Sequence, residues 1–111
     1  MGRALGYELA SIRGLPPEKF IAAAAGDLVV MEEIEEKMLA GTSRMTEEGR
    51  PSTGQDMIKG RRTEIEFING LVAAKSNAVG VSAPTHAALT AAVQRVERGE
   101  LDSSPDNVAG L

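Results

Sequence analysis

The sequence predicts an all-α protein, a bundle of short helices, and three observations lead to this fold class. Apolar residues recur at i, i+4 and i+7 in several segments, which is the period of a helix. No segment alternates apolar and polar residues for long enough to build a sheet. Only 3% of the 111 residues are aromatic. The core must therefore come from aliphatic side chains and Met, a composition that favours helices.

Two short helices are predicted before residue 26. The first spans residues 2–13, where Leu5, Leu9 and Ile12 would form one buried stripe that Gly14 ends. The second begins at residues 16–17, because proline suits the first turn of a helix, and it continues to residue 25. Because the first predicted helix starts at the beginning of the sequence, we expect the chain to be a piece of a longer polypeptide, and the alternative is a natural short protein.

The third predicted helix follows Asp27, a good N-cap residue, and ends near Leu39. Its buried stripe would consist of Met31, Ile34 and Met38. The opposite face is acidic, and we interpret it as a solvated surface rather than as a site for a metal or a basic partner. This face carries Glu32, Glu33, Glu35 and Glu36.

Two helix starts lie eleven residues apart after a polar loop over 41–50. Thr63 and Glu66 have the spacing of a reciprocal capping box, in which each side chain accepts from the backbone N–H of the other residue. Ser52 and Gln55 repeat this spacing. The helix that starts at Ser52 must be very short. Two helix N-termini, which attract anions, should therefore lie close together.

The helix that begins at Glu64 is predicted to reach Ala78. Gly70 in its middle costs about 1 kcal/mol relative to Ala, which suggests that another backbone or a ligand approaches closely. The side chains that this helix would bury are Ile65, Ile68, Leu71 and Val72.

A last helix is predicted from residues 83–85 to residue 98, with Leu89, Val93 and Val96 buried. The segment 102–111 is a polar tail in which we expect neither helix nor strand. At 111 residues the chain forms one domain at most. We therefore assign residues 1–101 to a single helical domain.

Composition argues against several classes of partner. The net charge is −4 and the pI is near 5.0, whereas nucleic-acid binding needs a basic surface; Lys59, Arg61 and Arg62 form the one basic run. No stretch approaches the roughly 18 apolar residues of a membrane span. The absence of cysteine excludes disulfides and suits a reducing cytoplasm. The single histidine, His86, excludes His-rich metal sites.

Nucleotide motifs are missing as well. No two glycines are two residues apart, and the Gly-Lys-Ser or Gly-Lys-Thr sequence of a phosphate loop does not occur, so this chain alone has no recognisable cradle for a dinucleotide or triphosphate. A Ser-His-acid arrangement would have to join Ser52 to His86, and nothing in the sequence supports that.

Four ordered segments resemble the C-terminal domain of ketopantoate reductases (2-dehydropantoate 2-reductases), a helical domain similar to that of 6-phosphogluconate dehydrogenase-like proteins. The resemblance implies an N-terminal Rossmann domain that binds NADPH and a helical domain that closes over a 2-keto acid. Residues 2–40 resemble the family more loosely. The four segments are Arg50-Pro51-Ser52, Gln55-Asp56, the run from Gly60 to Gly70, and the run from Gly80 to Pro84.

The resemblance also implies roles for individual residues. It places the family's active-site glutamate at Glu64 and its substrate-binding serine at Ser52. We assign Asn69, in the same motif as Glu64, to substrate binding. The alternative is that Ser52 is only a cap, that Glu64 only complements the helix dipole and that Asn69 is a surface amide.

The family's proton-donating lysine has no counterpart in this chain. In the family, asparagines follow that lysine at four-residue intervals. The residues four positions after the candidate lysines of this chain are instead Ala23, Gly41, Thr63 and Val79.

The sequence therefore predicts the substrate-side domain of an NADPH-dependent oxidoreductase of pantothenate biosynthesis, which reduces a 2-keto acid to a 2-hydroxy acid. We expect no cofactor bound by this chain alone and no turnover without the missing Rossmann domain. We also expect a homodimer that covers apolar surface. The alternative is a stand-alone helical module for dimerisation or protein interaction, without catalysis.

Overall fold

The computed structural model describes residues 1–41 and 51–111, and this part of the chain contains no β-strand. The predicted all-α class is confirmed. No helix among these residues is long and apolar enough to cross a bilayer. The loop predicted over 41–50 lies, apart from its first residue, outside the described residues. The α-helices are α1 (Pro17–Ala24), α2 (Leu28–Ala40), α3 (Ser52–Ile58), α4 (Leu71–Ala78) and α5 (Pro84–Glu97).

The described residues group into two compact units. The N-terminal unit holds Gly2 and residues 6–41, and its two helices, α1 and α2, pack against each other. The C-terminal unit holds Met1, Arg3–Leu5 and residues 51–111, and α5 contacts both α3 and α4 within it. The assignment of residues 1–101 to one domain stays a prediction.

The helix predicted over 2–13 is wrong. Only a short 3-10 turn forms, at Arg3–Leu5. Gly6 follows it with φ of 84°, a left-handed conformation from which a right-handed helix does not continue. Leu9 and Ile12 are 40% and 48% exposed, so the predicted stripe is not buried.

A tight turn stands where Gly14 was predicted to end that helix. Arg13 and Gly14 have φ of 51° and 74°, and positive φ at both central residues is typical of a type I′ turn. Two backbone hydrogen bonds of 3.0 and 2.9 Å join Ile12 and Leu15 across it. Leu15 is 1% exposed, so this turn carries a buried apolar side chain of the N-terminal unit.

The second and third predicted helices are confirmed as α1 and α2. The Asp27 carboxylate accepts the N–H of Val30 at 3.1 Å, which satisfies a donor of the first turn as predicted. Lys19 on α1 forms an ion pair with Glu33 on the acidic face of α2. The predicted stripe is only partly shielded, with Ile34 and Met38 half-buried and Met31 exposed.

In the C-terminal unit the helix predicted from Glu64 begins two residues later as a π-helical segment, Glu66–Gly70, which continues into α4. Its wider turn is marked by the hydrogen bond from the Gly70 N–H to the Ile65 carbonyl, 2.9 Å across five residues. Of the apolar residues predicted to be buried, Ile65 is 6% exposed, Val72 is half-buried, and Ile68 and Leu71 are each 50% exposed.

Gly70 lies against α5. A Cβ at this position would lie 3.4 Å from the Thr90 methyl group and 3.5 Å from the Ile65 carbonyl oxygen. The close approach in the structure is therefore made by the Thr90 side chain and by the segment's own backbone. On α5 itself, Val93 is buried and its predicted neighbours on the stripe, Leu89 and Val96, are half-buried.

The polar tail is more ordered than predicted. Pro105–Val108 forms a 3-10 turn that contacts α5, and the Ser104 hydroxyl accepts the Asp106 N–H at 3.2 Å. The Asn107 amide donates to the Asp102 carbonyl at 2.6 Å. The expectation of no helix at 102–111 is wrong here because a serine cap followed by proline is itself a helix start.

Candidate active site

Ser52 is exposed and is already the first residue of α3. Pro51 precedes it as the N-cap, with φ of −62° and ψ of 158°, and no side chain caps the helix. The predicted capping box of Ser52 and Gln55 is therefore wrong, because Ser52 lies one position too far into the helix to cap it. The structure shows no hydrogen bond between the Ser52 hydroxyl and another described residue.

Thr63 is held by a distant acid rather than by its predicted partner. Its N–H and its hydroxyl donate to the same oxygen, Glu97 Oε1, at 2.6 and 2.7 Å, and its Oγ1 accepts the Ile65 N–H at 3.2 Å. The capping box of Thr63 and Glu66 is therefore not formed. Thr63 is 7% exposed, so these bonds satisfy donors that water does not reach freely.

The Glu97 carboxylate is the residue that sequence reasoning missed. Its hydrogen bond from the Thr63 hydroxyl holds the pKa of Glu97 below its usual value, against the opposing effect of desolvation. The Thr63 N–H and the charges of Arg62 and Arg98 lower the pKa further. An acidic side chain in the last turn of a helix interacts unfavourably with the helix dipole. In the sequence, this unfavourable position is the one sign that Glu97 is held there by a partner elsewhere in the chain.

Glu66 lines a charged crevice. Its carboxylate pairs with Arg62 Nη2 at 2.8 Å and accepts from Gln94 Nε2 at 3.0 Å. Together with Glu97 and Arg98, these residues line a cavity of about 390 Å³. Both signs of charge are present in it, so the crevice does not favour anions over cations.

The basic run is largely paired with acids. Arg61 lies 3.0 Å from Asp56, and Arg62 is bound by Glu66. Two of the three charges are therefore balanced locally, which leaves little basic surface for phosphates. The absence of a nucleic-acid partner stays a prediction.

Glu64 stands between two buried residues but is itself exposed. It precedes the first helical residue, and its carbonyl accepts the N–H groups of Phe67 and Ile68 at 2.9 and 3.2 Å. The structure shows no ion pair or hydrogen bond between its carboxylate and another described side chain. This carboxylate therefore stays available to a partner outside the described residues.

Asn69 is half-buried and bound within the C-terminal unit. Its Nδ2 lies 3.0 Å from His86 Nδ1, on the first turn of α5. His86 is also half-buried, and the Thr90 hydroxyl donates to its carbonyl at 2.8 Å. This pairing of Asn69 with His86, 17 residues apart, was not predicted. No hydrogen bond in the described part of the chain joins Ser52, Glu64 and Asn69 to one another.

These features define an all-α domain with a hydroxyl and a carboxylate exposed near two helix starts. Among residues 1–41 and 51–111, no group of three acidic or histidine side chains is placed to hold a metal ion. The same residues contain no strand that could lead into a dinucleotide-binding turn. The class that the described residues define is an all-α domain of short helices.

Comparison with known proteins gives the family. Residues 17–97 match the family described as "Ketopantoate reductase PanE/ApbA C terminal". Over 57 residues the chain is 40% identical to 2-dehydropantoate 2-reductase of Archaeoglobus fulgidus. This alignment covers 51% of this chain and 19% of that protein. No solved structure gave a significant match. The chain belongs to the ketopantoate reductase C-terminal family, as its motifs predicted, and the aligned region spans about a fifth of the relative.

Proposed function

We propose that this chain is the substrate-side domain of an NADPH-dependent oxidoreductase that reduces a 2-keto acid to a 2-hydroxy acid. The family match over residues 17–97 carries this proposal. With ketopantoate as substrate, the reaction would belong to pantothenate biosynthesis. A chain without cysteine suits the cytoplasm.

This chain lacks the sequence motif, and its described residues lack the strand, with which a Rossmann domain binds NADPH. The sequence has no Gly-x-Gly turn, and the described residues have no strand to precede one. The cofactor, which supplies the hydride, would be held by a Rossmann domain outside this chain. The proton-donating lysine would also come from outside.

Two side chains of this domain would act on the substrate. The Ser52 hydroxyl would donate to the substrate carboxylate, and the Glu64 carboxylate would accept a hydrogen bond from the reacting hydroxyl or orient the lysine. Both are exposed and uncommitted among the described residues, which supports these roles. Asn69 retains its amide oxygen and a second N–H for the substrate, since one N–H goes to His86.

The chain alone should not oxidise NADPH in the presence of ketopantoate, because it has nothing that holds the hydride donor. The measurement is the loss of NADPH absorbance with purified chain, and full-length 2-dehydropantoate 2-reductase of Archaeoglobus fulgidus is the positive control. Turnover by the chain alone, above that of a heat-denatured sample, would contradict the proposed dependence on a second domain.

A second candidate function, dimerisation or protein interaction without catalysis, is favoured by the apolar surface of the C-terminal unit. Phe67 is 76% exposed, and Ile68 and Leu71 are each 50% exposed within one turn of it. Such a group of large apolar side chains is typical of an interface. We propose that a second copy of the chain covers it, in either functional setting.

Phe67→Glu should convert this dimer to a monomer at micromolar concentration, because it places a charge in the proposed interface. Sedimentation velocity of both proteins measures this change. Val108→Glu makes the same charge change at another exposed apolar residue, 42% exposed, and should leave the dimer intact. A monomeric wild-type chain, or dissociation by both variants, would contradict the proposed interface.

A further inference from the structure

A second cavity of the C-terminal unit, of about 390 Å³, lies at the N-terminus of α5. None of the residues assigned to the substrate, Ser52, Glu64 and Asn69, lines it, and Asn69 meets it only through its bond with His86. One part of its wall is apolar and another part carries hydroxyl groups and the His86 ring. The lining residues are Met1, Val72, Ser76, Val81, Ser82, Ala83, Pro84, Thr85 and His86.

The N-terminus of α5 leaves backbone donors at this cavity. Ala83 is the N-cap and offers no side-chain acceptor, and no acidic residue occurs in the first turn. Pro84 has no N–H, and the Ala87 N–H already bonds the Ala83 carbonyl at 3.2 Å. The N–H groups of Thr85 and His86 therefore lack helical acceptors, and the positive end of the helix dipole is not neutralised by a side chain.

Ser76, on α4, provides a second and independent observation. It is 1% exposed, it lines the cavity, and its hydroxyl has no hydrogen-bond partner among the described residues. A buried polar group without a partner costs free energy, so buried hydroxyls are nearly always paired. A ligand oxygen in the cavity would give this hydroxyl the acceptor that the protein lacks.

The third donor group at the cavity is the His86 ring, and its hydrogen bond with Asn69 determines which ring nitrogen donates. With Asn69 Nδ2 as the donor to His86 Nδ1, a neutral His86 ring carries its proton on Nε2. The ring therefore has a donor left after it has bonded Asn69. Donors thus come from α4 through Ser76 and from α5 through His86 and its backbone.

We propose that this cavity binds a small carboxylate with a short aliphatic tail. Its donors are suited to a carboxylate, and Val72 and Val81 offer apolar wall for the tail. No lysine or arginine lines the cavity, which favours a carboxylate over the higher charge of a phosphate. The inference does not depend on the proposed reduction, and it requires neither NADPH nor a second domain.

The test is a titration of the full 111-residue chain with sodium isobutyrate, followed by ¹H–¹⁵N NMR at constant ionic strength. Saturable shifts are expected at the amides of Thr85 and His86. Sodium phosphate and sodium chloride form the other arms. Saturation by phosphate but not by isobutyrate would overturn the ligand class, and non-saturating shifts with all three salts would overturn the site.

Ala83→Asp should abolish binding, because its carboxylate would occupy the N-terminus of α5 as an internal competitor. Ala91→Asp adds the same charge to an exposed position of the same helix and should leave binding unchanged. Equal affinity in both variants, or loss of binding in both, would overturn the proposal.

Ser76→Ala should weaken isobutyrate binding about tenfold, the loss of one hydrogen bond to a charged group. It should not lower Tm, because it removes a hydroxyl that has no partner in the described protein. A lowered Tm with unchanged affinity would show that the hydroxyl is structural and would overturn its place in the site.

Discussion

Glu64→Gln is expected to lower kcat for ketopantoate reduction about 100-fold in a chimeric reductase, if this carboxylate assists proton transfer as proposed. The chimera is 2-dehydropantoate 2-reductase of Archaeoglobus fulgidus in which residues 51–97 of this chain replace the corresponding segment. The relative is itself a 2-dehydropantoate 2-reductase, so the rest of its chain supplies what else turnover requires. Glutamine keeps the size of the side chain and removes its charge, so the change isolates the role of the carboxylate.

Glu66→Gln is the matched control in the same chimera. Glu66 is also an exposed glutamate, two residues away, but it is paired with Arg62 and Gln94. Its loss should change kcat only a few-fold, since exposed ion pairs contribute little. Equal effects of the two substitutions would contradict a special role for Glu64 and favour the non-catalytic interaction module.

Glu97→Ala is expected to lower the free energy of unfolding of the 111-residue chain by about 2 kcal/mol. The substitution removes the acceptor of two hydrogen bonds from Thr63 and leaves the N–H and O–H donors of this buried residue without an acceptor. Partial exposure of Glu97 lets water replace some of the loss, so the figure lies at the low end for bonds to a charged group. Urea denaturation measures it.

Glu100→Ala is the control for Glu97→Ala. Glu100 is an exposed acid three residues on, which forms a surface pair with Arg98 at 2.6 Å. No measurable change in stability is expected. Similar destabilisation by the two variants would show that the bonds from Glu97 to Thr63 add nothing beyond an ordinary surface charge.

The stabilisation from Glu97 should depend on pH with a definite sign. Because the folded-state pKa of Glu97 lies below its ordinary value of 4.5, the contribution is fully present above that value. It is lost as the pH falls through the lower folded-state pKa. The difference in unfolding free energy between the native chain and Glu97→Ala should therefore shrink in acid, and a constant difference would contradict the assignment.

The parts of the fold that the sequence predicts are those with local causes. Asp27 caps α2 through its own neighbour Val30, and proline sets the first turns of α1 and α5. The helix over 2–13 fails as a prediction because Gly6 takes a left-handed φ that the apolar period does not reveal. The apolar period there predicts a helix, but the backbone conformation of Gly6 prevents it.

The site is less predictable from periodicity because its contacts are distant in sequence. Thr63 has a plausible partner three residues on, yet it bonds Glu97, 34 residues away. The assignment of Ser52 and Glu64 to the site follows from the family motifs and not from any rule of residue spacing. The pairing of Asn69 and His86 depends on how α5 lies against the π-helical segment, which one sequence does not specify.

The π-helical segment also makes chain length itself a constraint. Its hydrogen bond spans five residues where that of an α-helix spans four, so deleting one residue from Glu66–Gly70 would leave a regular α-helical turn. The side chains of the segment, Asn69 among them, would then change direction relative to α5. This segment should tolerate many exchanges of exposed side chains, whereas the loss of one residue should break the bond between Asn69 and His86.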